Sequence, residues 1–200
     1  MKIGIIAVIF LVIVVVIALA IIGFVIGVFN KLVTMRNRYK NAYAQIDVQL
    51  KRRYDLIPNL VETVKGYAEH EKSTFDAVSS ARNQAISAQG PAAKAQAEGM
   101  LTGALRQLFA VAEAYPQLRA VESFTQLQAS LNQIEDTLQN ARRYYNAVVR
   151  DLNTRIQQFP SNMVAGMCSF KPREFFEISA PAEREVPKVS FGTPAPPPAS

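Results

Sequence analysis

Ile3 to Phe29 is the stretch that most constrains this chain. These 27 consecutive residues carry no charge and no side-chain hydrogen-bonding group. As a helix, rising about 1.5 Å per residue, they would extend roughly 40 Å. A bilayer core is about 30 Å thick, so the run is long enough to span it with tilt. In hydrocarbon every backbone polar group must be paired within the segment. This selects helix despite the many Val and Ile residues. Ile3 and Phe29 are thus the expected ends of a membrane anchor. Ala18-Leu19-Ala20 resembles a signal-peptide cleavage site, but apolar residues continue well beyond the about 7–15 of a cleaved leader. A retained anchor is the expectation. A lipoprotein anchor is excluded because the run has no nearby Cys.

Everything after Phe29 is then attached to a membrane at its N-terminal end. Its length suits one domain with a sizeable core. The net charge of +6 is unevenly placed: residues 1–53 hold eight Lys and Arg against Asp47 alone, whereas residues 54–200 hold 14 against 15 acidic residues. Lys31, Arg36, Arg38 and Lys40 form a basic collar beside the anchor, a pattern that attracts anionic lipid headgroups. A nucleic-acid surface would spread basic residues over the domain, so no nucleic-acid partner is expected. Lys2 alone flanks the other end of the run. Counting flanking Lys and Arg by the positive-inside rule puts the domain in the cytoplasm and the N-terminus outside. The single Cys168 agrees with a reducing compartment and excludes an intramolecular disulfide.

From Leu32 the apolar residues recur in steps of three and four: Leu32, Met35, Tyr39, Ala42, Ile46, Leu50, Tyr54, Ile57, Val61, Val64 and Ala68, then Phe75 and Val78. This is one buried stripe of an amphipathic helix. Pro58 interrupts it, either as a kink or as a tight reversal, in which case Asp55 would cap a new helix. Gln89-Gly90-Pro91 is the clearest stop. Residues 92–114 follow as an Ala-rich helix with Ala97, Leu101, Ala104, Leu108 and Ala112 on one side. Gly99 and Gly103 would allow another backbone to approach closely. After Tyr115-Pro116, the series Val121, Phe124, Leu127, Leu131, Ile134, Leu138, Ala141, Tyr145, Val148, Leu152 and Ile156 has a period near 3.5, as in bundles with left-handed packing. The expected organisation is a flank at 1–2, an anchor at 3–29, a helical bundle at 30–158, a semi-apolar irregular cap at 159–178 and a disordered Pro/Ala-rich tail at 179–200.

Three blocks carry a resemblance. RNRYKNAYAQIDVQLKRRYDLIPNLVETVKGYAEHE at 36–71, AEAYPQLRAVESFTQLQASLNQIEDTLQNARRYYNAVVRDLN at 112–153 and FPSNMVAGMCSFKPREFFE at 159–177 resemble, in order, the signature blocks of the LemA family. The resemblance implies an all-α fold: a single membrane-spanning helix followed by an antiparallel bundle of three to four long helices, in the inner membrane of a bacterium. It implies no activity, no cofactor and no catalytic residues. Relatives occur in membrane-protein quality control and in magnetosome membranes, which points to envelope organisation. One departure is Met167-Cys168-Ser169, where many relatives have Leu-Phe-Gly; it is expected to weaken packing of the cap.

Residues able to carry chemistry are few. His70, in Glu69-His70-Glu71, lacks the second His four residues on that a zinc protease motif needs. Cys168 has no His or second Cys nearby to activate it. Asp55, Asn59, Glu62 and Lys65 read as capping plus an ion pair between Glu62 and Lys65, or as a polar patch for a partner protein. Gly23 and Gly27 make a GxxxG seam that would let a second copy pack in the membrane. Tyr144 and Tyr145 follow Arg142 and Arg143. Tyr145 lies on the stripe, and Tyr144 would sit at its edge with an Arg stacked on it. The resulting expectation is a non-enzymatic, membrane-anchored scaffold or adaptor whose partners are anionic lipid, envelope proteins and a second copy of itself. A ligand-sensing module is the first competitor. It would need a polar pocket between helices, and no polar cluster is visible on the stripes. A membrane hydrolase is the second; it would need a nucleophile, a base and an orienter, and the chain has one His.

Overall fold

A computed structural model describes residues 2–177, with α1 Lys2–Lys65, α2 Lys72–Ser87, α3 Pro91–Glu113, α4 Pro116–Arg119, α5 Glu122–Gln157 and α6 Ser161–Met167. No strand occurs among the described residues. Met1, the last cap residue Ile178 and the tail expected to be disordered at 179–200 lie outside them.

The bundle goes up, down, up and down. α1 rises out of the apolar run. α2 returns along it, bringing Ala85 to Tyr54. α3 rises again, with Lys94 at Asp47 and Glu98 at Arg53. The long α5 descends, placing Glu135 at Arg53, Tyr145 at Tyr43, and Leu152 and Ile156 beside Val28 and Leu32. The α1–α5 and α2–α3 pairs make the principal seams.

The α1 stripe is buried as its spacing requires. Leu32, Ala42, Ile46, Leu50, Tyr54, Ile57, Val61, Val64 and Ala68 are all in the core. Two expectations for this stretch are corrected. First, the chain does not stay helical from Leu32 to Gln89. It turns over residues 66–71, where Gly66 is a poor helix former and where only a reversal lets Phe75, Val78, Ala81 and Ala85 pack on Tyr54, Ile57 and Leu60. Second, of the two readings open for Pro58, the reversal with Asp55 capping a new helix is ruled out, because α1 continues through both. Proline has no N–H, so the carbonyl of Tyr54, four residues back, loses its helical partner. Arg82 of α2 replaces it: its Nε donates to Tyr54 O at 2.8 Å.

Gly90 takes a φ of +82° and Pro91 opens α3, as the Gly-Pro pair suggests. Gly103 packs nothing, since a Cβ there would meet no atom within 4 Å; the expected close approach is absent at that position. On α5 the buried residue after Tyr145 is Val149, while Val148 is only half-buried, so the stripe steps by four where three was expected.

The cap is more regular than expected. α6 is a short helix ended by a Schellman motif, with Phe170 N donating to Ala165 O at 2.9 Å and Ser169 N to Gly166 O at 3.2 Å. Ser169 sits at the left-handed C′ position with φ 57°. Met163, Met167 and Cys168 are exposed, so the departure at 167–169 does not weaken the core. It places a serine where the backbone favours glycine. Residues 171–177 then run as an extended strap along α5. Asn153 exchanges two 2.8 Å hydrogen bonds with the backbone of Arg173. Asn146 does the same with Phe176, at 3.1 and 2.8 Å.

Candidate functional site

The polar feature that the stripes hide lies in the middle of the bundle. Arg53 follows Leu50 by three residues and precedes Ile57 by four, so it rides on the edge of the buried α1 stripe. Glu98 stands between Ala97 and Leu101 on the packed face of α3. Both are buried, with Arg53 5% and Glu98 1% exposed. Arg53 Nη1 is 3.0 Å from Glu98 Oε2 and 3.0 Å from Glu135 Oε2, and Nη2 donates to Thr102 Oγ1 at 3.0 Å. The Tyr54 hydroxyl donates to Glu98 Oε1. Burial, then the facing Glu98 carboxylate, push the Tyr54 phenol far above the ordinary tyrosine range. Arg142 of α5 completes the group at 3.8 Å from both carboxylates.

The cluster contains two guanidinium groups and two carboxylates, so it is neutral within itself when all four are ionised. It is unevenly tight. Arg53 is clamped by its partners, but Nε and Nη2 of Arg142 are buried with no hydrogen-bond acceptor. Arg142 rests instead over the Phe176 ring, 5.1 Å from its centroid. Burial lowers its affinity for the proton below the usual arginine value, with Glu135 and Glu98 opposing. This replaces the expected stacking of an arginine on Tyr144, which is half exposed. Above the cluster, α3 and α5 part to leave a cleft of about 480 Å³ floored by Arg53 and edged by Thr102, Phe109, Leu131 and Glu135. A polar cluster thus lies between the helices although none is visible on the stripes. The arrangement binds helices to one another and offers charge at the cleft floor. No group of three or more potential metal ligands occurs among the described residues.

The residues singled out in the sequence are distributed along α1 rather than gathered. Lys31, Arg38 and Lys40 are exposed, while Arg36 is half-buried over the Phe170 ring at 5.6 Å. Asp55, Asn59, Glu62 and Lys65 are exposed on successive turns of the distal half of α1, with Glu62 Oε1 3.8 Å from Lys65 Nζ. Gly23 and Gly27 are exposed, and a Cβ at either would meet nothing within 4 Å. Ile3 lies in α1, and Phe29 meets Phe170 edge to face at 6.1 Å. His70 and Cys168 are exposed. The apolar N-terminal part of α1 is long and apolar enough to cross a membrane, and the most apolar stretch packs against nothing in the molecule.

Two features escaped the sequence reading. The spacing of Arg53 from Leu50 and Ile57 puts it at the edge of the stripe, but its pairing with Glu98 gave no local signal, because that partner lies 45 residues away on another helix. The strap did leave one: Asn146 and Asn153 are seven residues apart and so share one face of α5.

Comparison with known proteins agrees on one relationship. A family model described as LemA family matches residues 42–191. Magnetosome protein MamQ 2 of Paramagnetospirillum magneticum is 28% identical over 175 residues, covering 74% of this chain and 64% of that protein. Magnetosome protein MamQ of Magnetospirillum gryphiswaldense is 26% identical with the same two coverages. Protein LemA of Metamycoplasma hominis is 26% identical over 172 residues, covering 84% of this chain and 75% of that protein. The chain thus spans just under two thirds of the length of the magnetosome relatives.

Proposed function

The chain belongs to the LemA family, and from that premise we propose that it is a membrane-tethered, non-enzymatic scaffold of the bacterial envelope. The observation that carries this reading is the continuity of α1. One helix runs from Lys2 to Lys65. Its first part exposes Val, Ile, Leu and Phe on every side, and its second part is the central helix of the bundle. Exposed apolar surface on this scale needs a lipid environment. A helix without a hinge holds the bundle at a fixed attitude to that lipid.

In this reading, Lys31, Arg38 and Lys40 meet anionic headgroups. The exposed series Asp55, Asn59, Glu62 and Lys65 is a docking face for an envelope protein. At about 1.5 Å per residue it stands roughly 40–55 Å beyond Phe29. Gly23 and Gly27 offer a seam for a second copy. The basic flank after the span places the bundle in the cytoplasm and the N-terminus outside. Relatives named as magnetosome proteins support a role in organising membranes.

Purification at native abundance in mild detergent tests the scaffold. The expected result is co-purifying membrane proteins or a defined oligomer, lost or weakened in an Asn59→Lys/Glu62→Lys variant or a Gly23→Leu/Gly27→Leu variant. A lone monomer, unaffected by either variant, would refute it. Topology is read separately with Gln133→Cys in a Cys168→Ser background. Labelling of intact cells by an impermeant thiol reagent would place the bundle outside.

A further inference from the structure

The cap at the end of α5 carries apolar surface that the bundle does not use. α6 turns Val164 and Ala165 inward, onto Val28, Leu32, Leu152 and Ile156. On the other side Met163 and Met167, one turn apart, are 62% and 80% exposed, and Phe159 just before the helix is 75% exposed. Large apolar side chains grouped on one side of an element mark a contact surface.

Their level along α1 identifies the contact. α6 packs on Val28 and Leu32, with Val25 alongside. That is the last turn of the apolar run and the first turn beyond it. The run, at roughly 40 Å, is about 10 Å longer than a bilayer core is thick, a surplus of about seven residues. With Ile3 at the far boundary, Phe29 stands at or beyond the near boundary even if tilt takes up the surplus, so Val28 and Leu32 bracket the edge of the headgroup layer. α6 lies beside them in that layer.

The charge pattern agrees. From Ile156 to Phe170 there are fifteen residues without a charge, closed at the two ends by Arg155 and Lys171. Exposed Lys31 and Lys171 and half-buried Arg36 and Arg155 surround the uncharged stretch. Apolar residues framed by Lys and Arg at this depth form an interfacial surface.

We propose that α6 is a second membrane contact, with Phe159, Met163 and Met167 inserted at the boundary between headgroups and acyl chains. The inference rests on the anchor reading but adds a site to it. The bundle is then held at two points, along α1 and through α6, so it does not swivel about the span. The basic collar alone would not give this, because Lys and Arg heads attract headgroups without entering the acyl region.

The chain has no tryptophan, so a single Trp reports one place. Full-length Met163→Trp is reconstituted into vesicles of phosphatidylcholine and phosphatidylglycerol, with Gln133→Trp on the distal part of α5 as reference. Bromine is carried either high or low on the lipid acyl chains. Met163→Trp should emit to the blue of Gln133→Trp. The high bromine should quench it several-fold more than the low bromine does, at every protein-to-lipid ratio. Met167→Trp serves as a second probe at a more exposed position, should the first substitution disturb α6. Water-like emission with the reference level of bromine quenching, in vesicles that carry the protein on flotation, would overturn the α6 contact and leave the anchor standing. A blue shift without bromine quenching, or quenching that changes with protein density, would assign the face to protein and equally overturn it. Failure of the chain to float with the vesicles would refute the anchor and this contact together.

Discussion

Arg82 should matter to this fold only because residue 58 is proline. Arg82 Nε donates to Tyr54 O at 2.8 Å, the carbonyl that Pro58 leaves without a helical donor. Tyr54 is buried and the bond itself is part-buried, so water would replace the lost donor only in part. A hydrogen bond from a charged group contributes about 1.5–3 kcal/mol, and leaving a buried acceptor unsatisfied costs a similar amount. Arg82→Met keeps much of the aliphatic stem that packs beside Pro58, and is expected to cost about 2 kcal/mol. In a chain of this size that lowers the melting temperature by about 4–8 °C. Pro58→Ala restores the N–H, so in that background Arg82→Met should cost under about 0.5 kcal/mol. The coupling energy between the two sites is then about 1.5 kcal/mol. The assay is urea unfolding of the four proteins in mild detergent, followed by circular dichroism at 222 nm, with the micelle keeping the apolar part of α1 helical. Equal costs of Arg82→Met in the two backgrounds would show that Arg82 does not stand in for the missing helical bond.

The central charge cluster should behave as a unit: Glu98→Ala and Arg53→Met are each expected to destabilise by about 3 kcal/mol, and together by much less than the sum; additive costs would mean that each group is solvated independently. Ser169→Gly, relieving a non-glycine residue at φ 57°, should stabilise by about 1 kcal/mol in the same unfolding assay, and a loss of stability would mean that the serine side chain makes a compensating contact. Leu138→Asp puts a charge at a fully buried position on α5 and should cost more than about 4 kcal/mol, whereas an unchanged melting temperature would contradict the packing of that face. Burial, with Tyr43, Tyr39 and Glu174 adding to it, pushes the Tyr145 phenol up to about 12. Its neutral form is therefore favoured by folding: the contribution is complete below about pH 10, where unfolded tyrosines are protonated, and is lost as pH rises through about 12. Absorbance at 295 nm should show Tyr145 ionising later than exposed tyrosines; a wild-type titration identical to that of Tyr145→Phe apart from one ordinary tyrosine near pH 10 would refute this.

What could be read from the sequence was set by local periodicity, and what could not was set by partners far away in the chain. Leu131, Ile134, Leu138, Tyr145, Leu152 and Ile156 are buried on α5 because a regular spacing already defines a face, whatever packs on it. The same regularity concealed the turn after α1. Residues 66–71 hold Ala68 in the core while the chain reverses, so the apolar series from Val64 through Ala68 to Phe75 looks unbroken. Pro58 illustrates the opposite failure. The sequence shows a lost hydrogen bond and leaves a kink or a reversal open, because the donor that makes the helix tolerable, Arg82, lies on another element. The pairing of Arg53 with Glu98 is also invisible locally, because the two are 45 residues apart and their buried neighbours Tyr54 and Ala97 do not reveal a charged partner. These two cases share a cause. A buried polar group is tolerated only when its partner arrives from a different helix, so its presence is a property of the assembled bundle. Arg82 and the Arg53 cluster both meet α1 within one turn of Tyr54, where Tyr54 O takes the first and its hydroxyl joins the second. That turn is where α2, α3 and α5 all become dependent on one register of α1. An apolar seam alone could slip by a turn at modest cost; these directional bonds could not, which fixes the bundle's position on the helix that also forms the anchor.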